Sequence, residues 1–154
     1  MSRSYSQVYI HFVLAVRYRQ AIILPHWKQT LHNFITAITQ NNGHDVLAIG
    51  SMPDHLHLLV NLNSVQSMSD FMEIVQKKSK EFINQRNFTP IPFEWQEGFG
   101  GFSISILDIE KETRYVFNQE QHHRHIKFRA EFIALLREWK IPFDDRTIFE
   151  DLIE

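Results

Sequence analysis

Two groups of side chains in this 154-residue chain combine residue type and spacing in a way that could do chemistry. The first is His55-Leu56-His57, inside the run HLHLLVNL over residues 55–62. Period-two alternation places His55, His57, Leu59 and Asn61 on one face of a strand, and Leu56, Leu58, Val60 and Leu62 on the other. The uniformly apolar set belongs against covering helices. The histidines are therefore expected on the opposite, open face, where both imidazoles can reach one metal ion. The tripeptide is short, and two half-exposed strand histidines without a metal fit it as well.

The second group lies in KETRYVFNQEQHH, residues 111–123. On a helical wheel Ile109, Thr113, Val116 and Phe117 form an apolar stripe, and Tyr115 lies roughly 145° from its centre. Gln119, four residues on, shares the tyrosine's face, with Glu112 and His122 nearby. The expectation is a hydroxyl presented outward with a carboxamide oxygen beside it. A surface tyrosine, or one at a dimer interface, fits the helix equally well.

The rest of the inventory decides how to weigh these groups. There is no cysteine, so disulfides, thiolate metal sites and cysteine nucleophiles are excluded. No glycine-rich phosphate loop or nucleophile-elbow serine is found. Tyr5, Tyr9 and Tyr18 fall near the N-terminal strand, leaving Tyr115 as the only helical tyrosine. An outward tyrosine with a neighbouring amide and a bis-histidine strand make a coherent phosphoryl-transfer set.

The elements that must position these groups are legible in the pattern. Residues 8–16 (VYIHFVLAV) read as a strand. A helix follows, with Pro25 in its first turn and Trp27, Leu31, Phe34, Ile35 and Ile38 at helical spacing. Gly43 suits a left-handed C-terminal cap. Strands over 45–51 and 55–62 flank Pro53-Asp54 as a hairpin. Ser67 or Ser69 caps a second helix to about Arg86, and a fourth strand covers 100–107. Asp108 caps a third helix to about Gln121, and a last helix spans about 127–139. The order β-α-β-β-α-β is the split β-α-β arrangement. It predicts an α+β, ferredoxin-like sandwich: an antiparallel sheet with two helices on one face, followed by C-terminal helices carrying the tyrosine.

Length and composition fit one compact domain, with 44% hydrophobic residues and 13 phenylalanines. Nothing suggests export or a membrane span, so a soluble intracellular protein is expected. The net charge of -2 does not by itself suggest a polyanionic partner. Its distribution is uneven: residues 130–154 carry seven acids and three bases, leaving 13 bases against 11 acids before them.

Taken together the motifs resemble those of the single-tyrosine HUH transposases of the insertion-sequence 200/605 type, the IS200-like family. The matching stretches are YIHFVLAVRYR, GSMPDHLHLLV, WQEGFGGFSIS, RYVFNQEQHH and the tail FRAEFIALLREWKIPFD, in consistent order across nearly the whole chain. The resemblance implies one transposase domain over residues 1–154, with His55 and His57 as the metal pair. It further implies Tyr115 as nucleophile, Gln119 as third ligand and Asp54 as a residue supporting the pair. It implies Mg²⁺ or Mn²⁺, a 5′-phosphotyrosine intermediate, and single-stranded DNA with hairpins near the element ends. It also implies a homodimer in which one subunit's tyrosine helix can complete the other's site, in a prokaryotic cytoplasm and on the nucleoid when DNA-bound. Val116-Phe117 replaces a more usual aliphatic pair.

For holding DNA, Arg17, Tyr18 and Arg19 after the first strand are candidates, as are Lys77, Lys78, Lys80 and Arg86 on the second helix. Trp95 and Phe99 suit core packing better than base stacking. His122, His123 and His125 read as a solvent-facing helix end rather than a second metal cluster. Three rivals stay open: a domesticated relative, a non-catalytic single-strand-binding module, and a bis-histidine hydrolase using activated water. The last is disfavoured because no carboxylate ligand has convincing spacing.

Overall fold

A computed structural model describes residues 4–149, so the tail acids Glu150, Asp151 and Glu154 lie outside it. The elements run β1 (Tyr9–Ala15), α1 (Pro25–Asn41), β2 (Asp45–Met52), β3 (His55–Asn61), α2 (Met68–Gln85), β4 (Gly100–Ile104), α3 (Ile109–Phe117), α4 (Gln119–His122) and α5 (Phe128–Glu138). The strands form one antiparallel sheet in the order β2-β3-β1-β4, the α+β split arrangement expected.

Local chemistry explains the boundaries. Pro25 opens α1, where its missing N–H is no loss. Gly43 closes it at φ 85°, with the Gly43 N–H donating to Gln40 O at 3.0 Å. The Ser67 hydroxyl accepts from the Asp70 N–H at 3.0 Å and caps α2. Asp108 occupies the cap position of α3 without a side-chain cap bond. Ser105 instead caps a 3-10 turn over Ile106–Asp108, so β4 ends at Ile104, short of the expected residue 107.

One sheet face carries Phe12, Leu14, Val16, Leu56, Leu58 and Val60 against Trp27, Leu31 and Ile35 of α1 and Phe71, Met72 and Val75 of α2. Each fully buried large side chain here contributes about 1.5–3 kcal/mol. Trp95 belongs to this core, its Nε1 donating to Ser79 Oγ at 2.9 Å, and Phe99 packs on Phe12.

The second face differs from expectation. The sequence reading leaves it open, but α3, α4 and α5 fold back across it, and six of the seven β3 residues are buried. Val13, Ala15 and Phe102 pack against Phe128, Leu135 and Leu136 of α5, while Ala48, Leu59 and Ile104 pack against Val116 of α3. Close approach of α3 requires Gly50, where an added Cβ would lie 2.2 Å from the Val116 carbonyl oxygen.

The third helix also departs from a continuous run to Gln121. It breaks at Asn118 (φ -96°, ψ 22°) and resumes as the single turn of α4. Val116 is buried as the stripe predicts, but Phe117 is 62% exposed.

Candidate functional site

His55 and His57 do share a face, and both are fully buried under the C-terminal helices rather than half-exposed. Across the sheet Ala15 and Met52 pair with His55, and Gly50 and Val13 pair with His57, so each histidine has one small neighbour, Ala15 or Gly50. Phe128 of α5 stacks on the His55 ring at 3.8 Å and 3°.

Two further residues join the pair. His123, just beyond α4, and Glu131 on α5 bring their ligand atoms to within 4.8 Å of those of His55 and His57. Glu131 Oε1 lies 3.3 Å from His55 Nε2, 3.1 Å from His57 Nε2 and 3.1 Å from His123 Nε2. Gln119, which is 2% exposed, turns its Oε1 to 3.3 Å from His55 Nε2 and 3.0 Å from His123 Nε2. Its NH₂ donates to the Tyr115 carbonyl at 3.2 Å, which fixes the amide's orientation across the Asn118 break.

The opposite nitrogen of each imidazole has its own partner. His55 Nδ1 is 2.7 Å from Asp54 Oδ1, His123 Nδ1 is 2.6 Å from the Ile126 carbonyl oxygen, and His57 Nδ1 is 2.6 Å from His11 Nε2. A carboxylate and a carbonyl accept only, so His55 and His123 donate from Nδ1 and present Nε2 inward. Three imidazole nitrogens, a carboxylate oxygen and an amide oxygen thus converge on one buried point. That donor set fits a divalent cation, and transition metals better than Mg²⁺.

The electrostatics agree with the geometry. Burial opposes charge on His55, but hydrogen bonds and negative charge from Asp54 and Glu131 outweigh it and raise its pKa. Burial takes His57 down to about 3, aided by His11 and opposed by its Glu131 contact. Burial also pushes the Glu131 carboxyl upward, yet hydrogen bonds from His123, His55 and His57 outweigh this and hold it far below the carboxylate range. Glu131 thus keeps its negative charge among the imidazoles, and a cation at the converging point would lie against that charge.

Tyr115 does not present its hydroxyl outward. It is half-buried between α3 and α5, and its hydroxyl donates to Glu131 Oε2. Its ring packs near His57 at 5.8 Å, His11 at 5.9 Å and His122 at 5.2 Å. Burial, then the Glu131 charge, raises its pKa above the ordinary phenol value. The wheel expected this side of α3 to face solvent; the ring instead packs toward the sheet histidines, with α5 beside its hydroxyl. A cavity of about 220 Å³ is lined by Glu112, Tyr115, His122, Glu131 and Trp139.

The reading of His122, His123 and His125 as a solvent-facing end holds only for His125, which is exposed. His123 turns inward to the cluster, and His122 Nε2 lies 3.2 Å from Glu131 Oε2. Glu131 was missed altogether. Its signal was a lone carboxylate between Phe128 and Leu135 on the buried stripe of α5.

The basic candidates separate. Arg17, Tyr18 and Arg19 form a 3-10 turn after β1. Tyr18 and Arg19 line a groove of about 700 Å³ with Asp54, His123, Lys127 and Arg129, beside the cluster. Arg17, Lys77 and Lys80 line a second groove of about 710 Å³. There Lys80 pairs with Glu94 at 2.6 Å, while Arg86 lies over the Phe82 ring and Lys78 is exposed.

Fold and site define a small α+β protein with a helix-borne tyrosine set against a buried histidine–carboxylate cluster. The family described as "Transposase IS200 like" matches residues 4–119, and the chain belongs to that transposase family. The ISDra2 transposase TnpA of Deinococcus radiodurans is 26% identical over 125 residues, 79% of this chain and 86% of that protein. Two solved structures share the fold. One, a REP-associated tyrosine transposase bound to a REP hairpin, has TM-score 0.61 at 17% identity and covers 100% of this chain and 98% of its own. The other, from Deinococcus radiodurans R1, has TM-score 0.60 at 20% identity and covers 77% and 96%.

Proposed function

We propose that the protein cuts and rejoins single-stranded DNA through a 5′-phosphotyrosine formed on Tyr115. The observation that carries this reading is the two-sided engagement of Glu131. One oxygen faces three imidazoles, and the other accepts the Tyr115 hydroxyl.

In this reading His55, His57 and Gln119, joined by His123 and Glu131, hold Mg²⁺ or Mn²⁺, and Asp54 orients His55. When bound, the cation acts as a Lewis acid on the scissile phosphate. Tyr115 Oη attacks phosphorus, its proton passing to Glu131 Oε2. The bond from phosphorus to the 3′ oxygen breaks, and that oxygen leaves as a hydroxyl with the proton that Tyr115 passed to Glu131, which ends the step ionised as it began. Attack by another 3′-hydroxyl reverses the step, so rejoining needs no ATP. Burial of the cluster keeps bulk water from the ester.

The Tyr115 hydroxyl donates to Glu131 of its own chain, and we assign the action of Tyr115 to its own subunit. A homodimer, and a place on the nucleoid in a prokaryotic cytoplasm, complete the proposal. Hairpin DNA is the substrate we assign, in keeping with the REP hairpin held by the structural neighbour. The strand would run along the groove of Tyr18, Arg19 and Lys127, with Arg17, Lys77, Lys78, Lys80 and Arg86 as an outer basic set.

The test uses single-stranded oligonucleotides tiling the DNA that flanks the gene, incubated with Mn²⁺ or Mg²⁺. A strand-specific, SDS-resistant adduct lost with Tyr115→Phe and with EDTA supports the mechanism. An adduct that survives Tyr115→Phe removes the nucleophile assignment. Tight binding without an adduct on any strand favours a non-catalytic or domesticated relative.

A further inference from the structure

His11 lies outside the proposed cation set, yet it is fully buried and both of its ring nitrogens are engaged. β1 puts it on the histidine face of the sheet, opposite Leu59 of β3 and Phe102 of β4. Its ring centroid is 4.9 Å from that of His57. Nδ1 lies 2.7 Å from Glu112 Oε1, and Nε2 lies 2.6 Å from His57 Nδ1.

The partners fix the order of the protons. An ionised carboxylate only accepts, so His11 donates from Nδ1 to Glu112. Once a cation takes His57 Nε2, the remaining proton of His57 lies on Nδ1 and is donated to His11 Nε2. His57 Nε2 is then the ligand atom at the converging point, where without a cation its 3.1 Å contact with Glu131 Oε1 is a hydrogen bond. The reverse order, with His57 protonated at Nε2, puts a proton where a cation would bind.

We propose that Glu112 and His11 are positioning residues that hold His57 in its cation-binding tautomer. The inference rests on the reading of His57 as a ligand. It adds a mechanical link, because Glu112 stands on α3 one turn before Tyr115. The helix that delivers the nucleophile also delivers the acceptor that ends the relay. With α3 seated, His57 is oriented; with α3 displaced, His11 loses its partner and the ligand loses its preferred tautomer. The same kind of carboxylate–histidine support beneath metal ligands sets their basicity and orientation elsewhere.

The experiment combines ¹⁵N-histidine NMR of the Mg²⁺-loaded protein with calorimetric Mn²⁺ titration. The wild type is expected to show His57 protonated at Nδ1. His11→Phe and Glu112→Ala are expected to weaken Mn²⁺ binding about 10- to 100-fold. Glu112→Gln, which keeps an acceptor oxygen for His11, is expected to stay close to the wild type. Glu112 is partly exposed, so Glu112→Ala keeps the test open if Phe at position 11 disturbs folding. His57 protonated at Nε2 in the wild type, or unchanged Mn²⁺ affinity in folded His11→Phe and Glu112→Ala, overturns the proposal. Mn²⁺ binding that needs His57 but not His11 removes the relay alone. Mn²⁺ binding indifferent to His57→Ala removes the ligand reading and the relay with it.

Discussion

Tyr115 and Glu131, on α3 and α5, are joined by a hydrogen bond from the hydroxyl to Oε2, while Glu131 Oε1 stays 3.1 Å from His57 Nε2. One carboxylate thereby links the proposed nucleophile to the histidine cluster. Glu131→Gln keeps the side chain's size and removes its charge. Single-turnover adduct formation is expected to slow by about 10²- to 10⁴-fold, the range for loss of a positioned proton acceptor. Adduct formation at the wild-type rate would sink the assignment.

The donor set predicts a metal preference and its pH dependence. Three imidazoles favour Mn²⁺ over Mg²⁺, by about tenfold or more in affinity. Below the His55 pKa, which the folded site raises, cation binding must also displace a proton from that imidazole. Affinity therefore rises with pH through the raised pKa, with proton release on binding. Calorimetry in buffers of different ionisation enthalpy measures both; equal Mg²⁺ and Mn²⁺ affinities without proton release would contradict the site.

Gly50→Ala probes how closely α3 must sit. Its Cβ would meet the Val116 carbonyl oxygen at 2.2 Å, so either β2 or α3 must shift. A loss of about 1–3 kcal/mol of stability is expected from overpacking. Adduct formation should fall further than stability does, because Tyr115 adjoins Val116 in sequence. Urea unfolding and adduct assays on the same preparation separate the two effects.

His32 sets an acid limit away from the site. Burial, then the neighbouring Lys28 charge, lowers its pKa to about 4, and its Nε2 lies 2.7 Å from Ser51 Oγ. The unfolded chain protonates His32 near 6.5 and the folded protein only near 4. Its contribution is thus complete above 6.5 and is lost as pH falls towards 4, with a span on the order of 3 kcal/mol. The stability gap between wild type and His32→Gln should shrink between about pH 7.5 and about pH 5. A gap that stays constant would show that His32 does not titrate in this way.

The two grooves make different predictions for DNA. If the strand follows the groove beside the cluster, Tyr18→Ala loses about 1–3 kcal/mol of single-strand binding through lost stacking. Lys127→Ala then lowers the slope of log affinity against log salt by about 0.7. Should Lys77→Ala and Lys78→Ala produce the larger loss in the same titration, the α2 groove carries the strand instead.

Residues 55–62 show how far pattern alone reaches. Alternation put His55 and His57 on one face because side chains in any strand alternate, whatever surrounds them. The wheel likewise put Tyr115 and Gln119 together, well away from the centre of the apolar stripe, because helical spacing is local. Exposure was misjudged at both places for one reason: periodicity describes one element and carries no information on what later packs over it. Glu131 and His123 were invisible as ligands because their distances to His55 and His57 exist only after α4 and α5 fold back. The Asn118 break was equally silent, since no proline or glycine marks it.

The sequence by itself determined the four strands, the helices between them, the shared face of His55 and His57, and the family. The tertiary structure alone decided that the second sheet face is covered, that Tyr115 points inward, and that Glu131 joins it to the histidines. The physical reason is that sheet and helices arise from local periodicity. The site instead arises where Gly50 and Ala48 let α3 reach the sheet, and where the apolar stripe of α5 carries one carboxylate down with it.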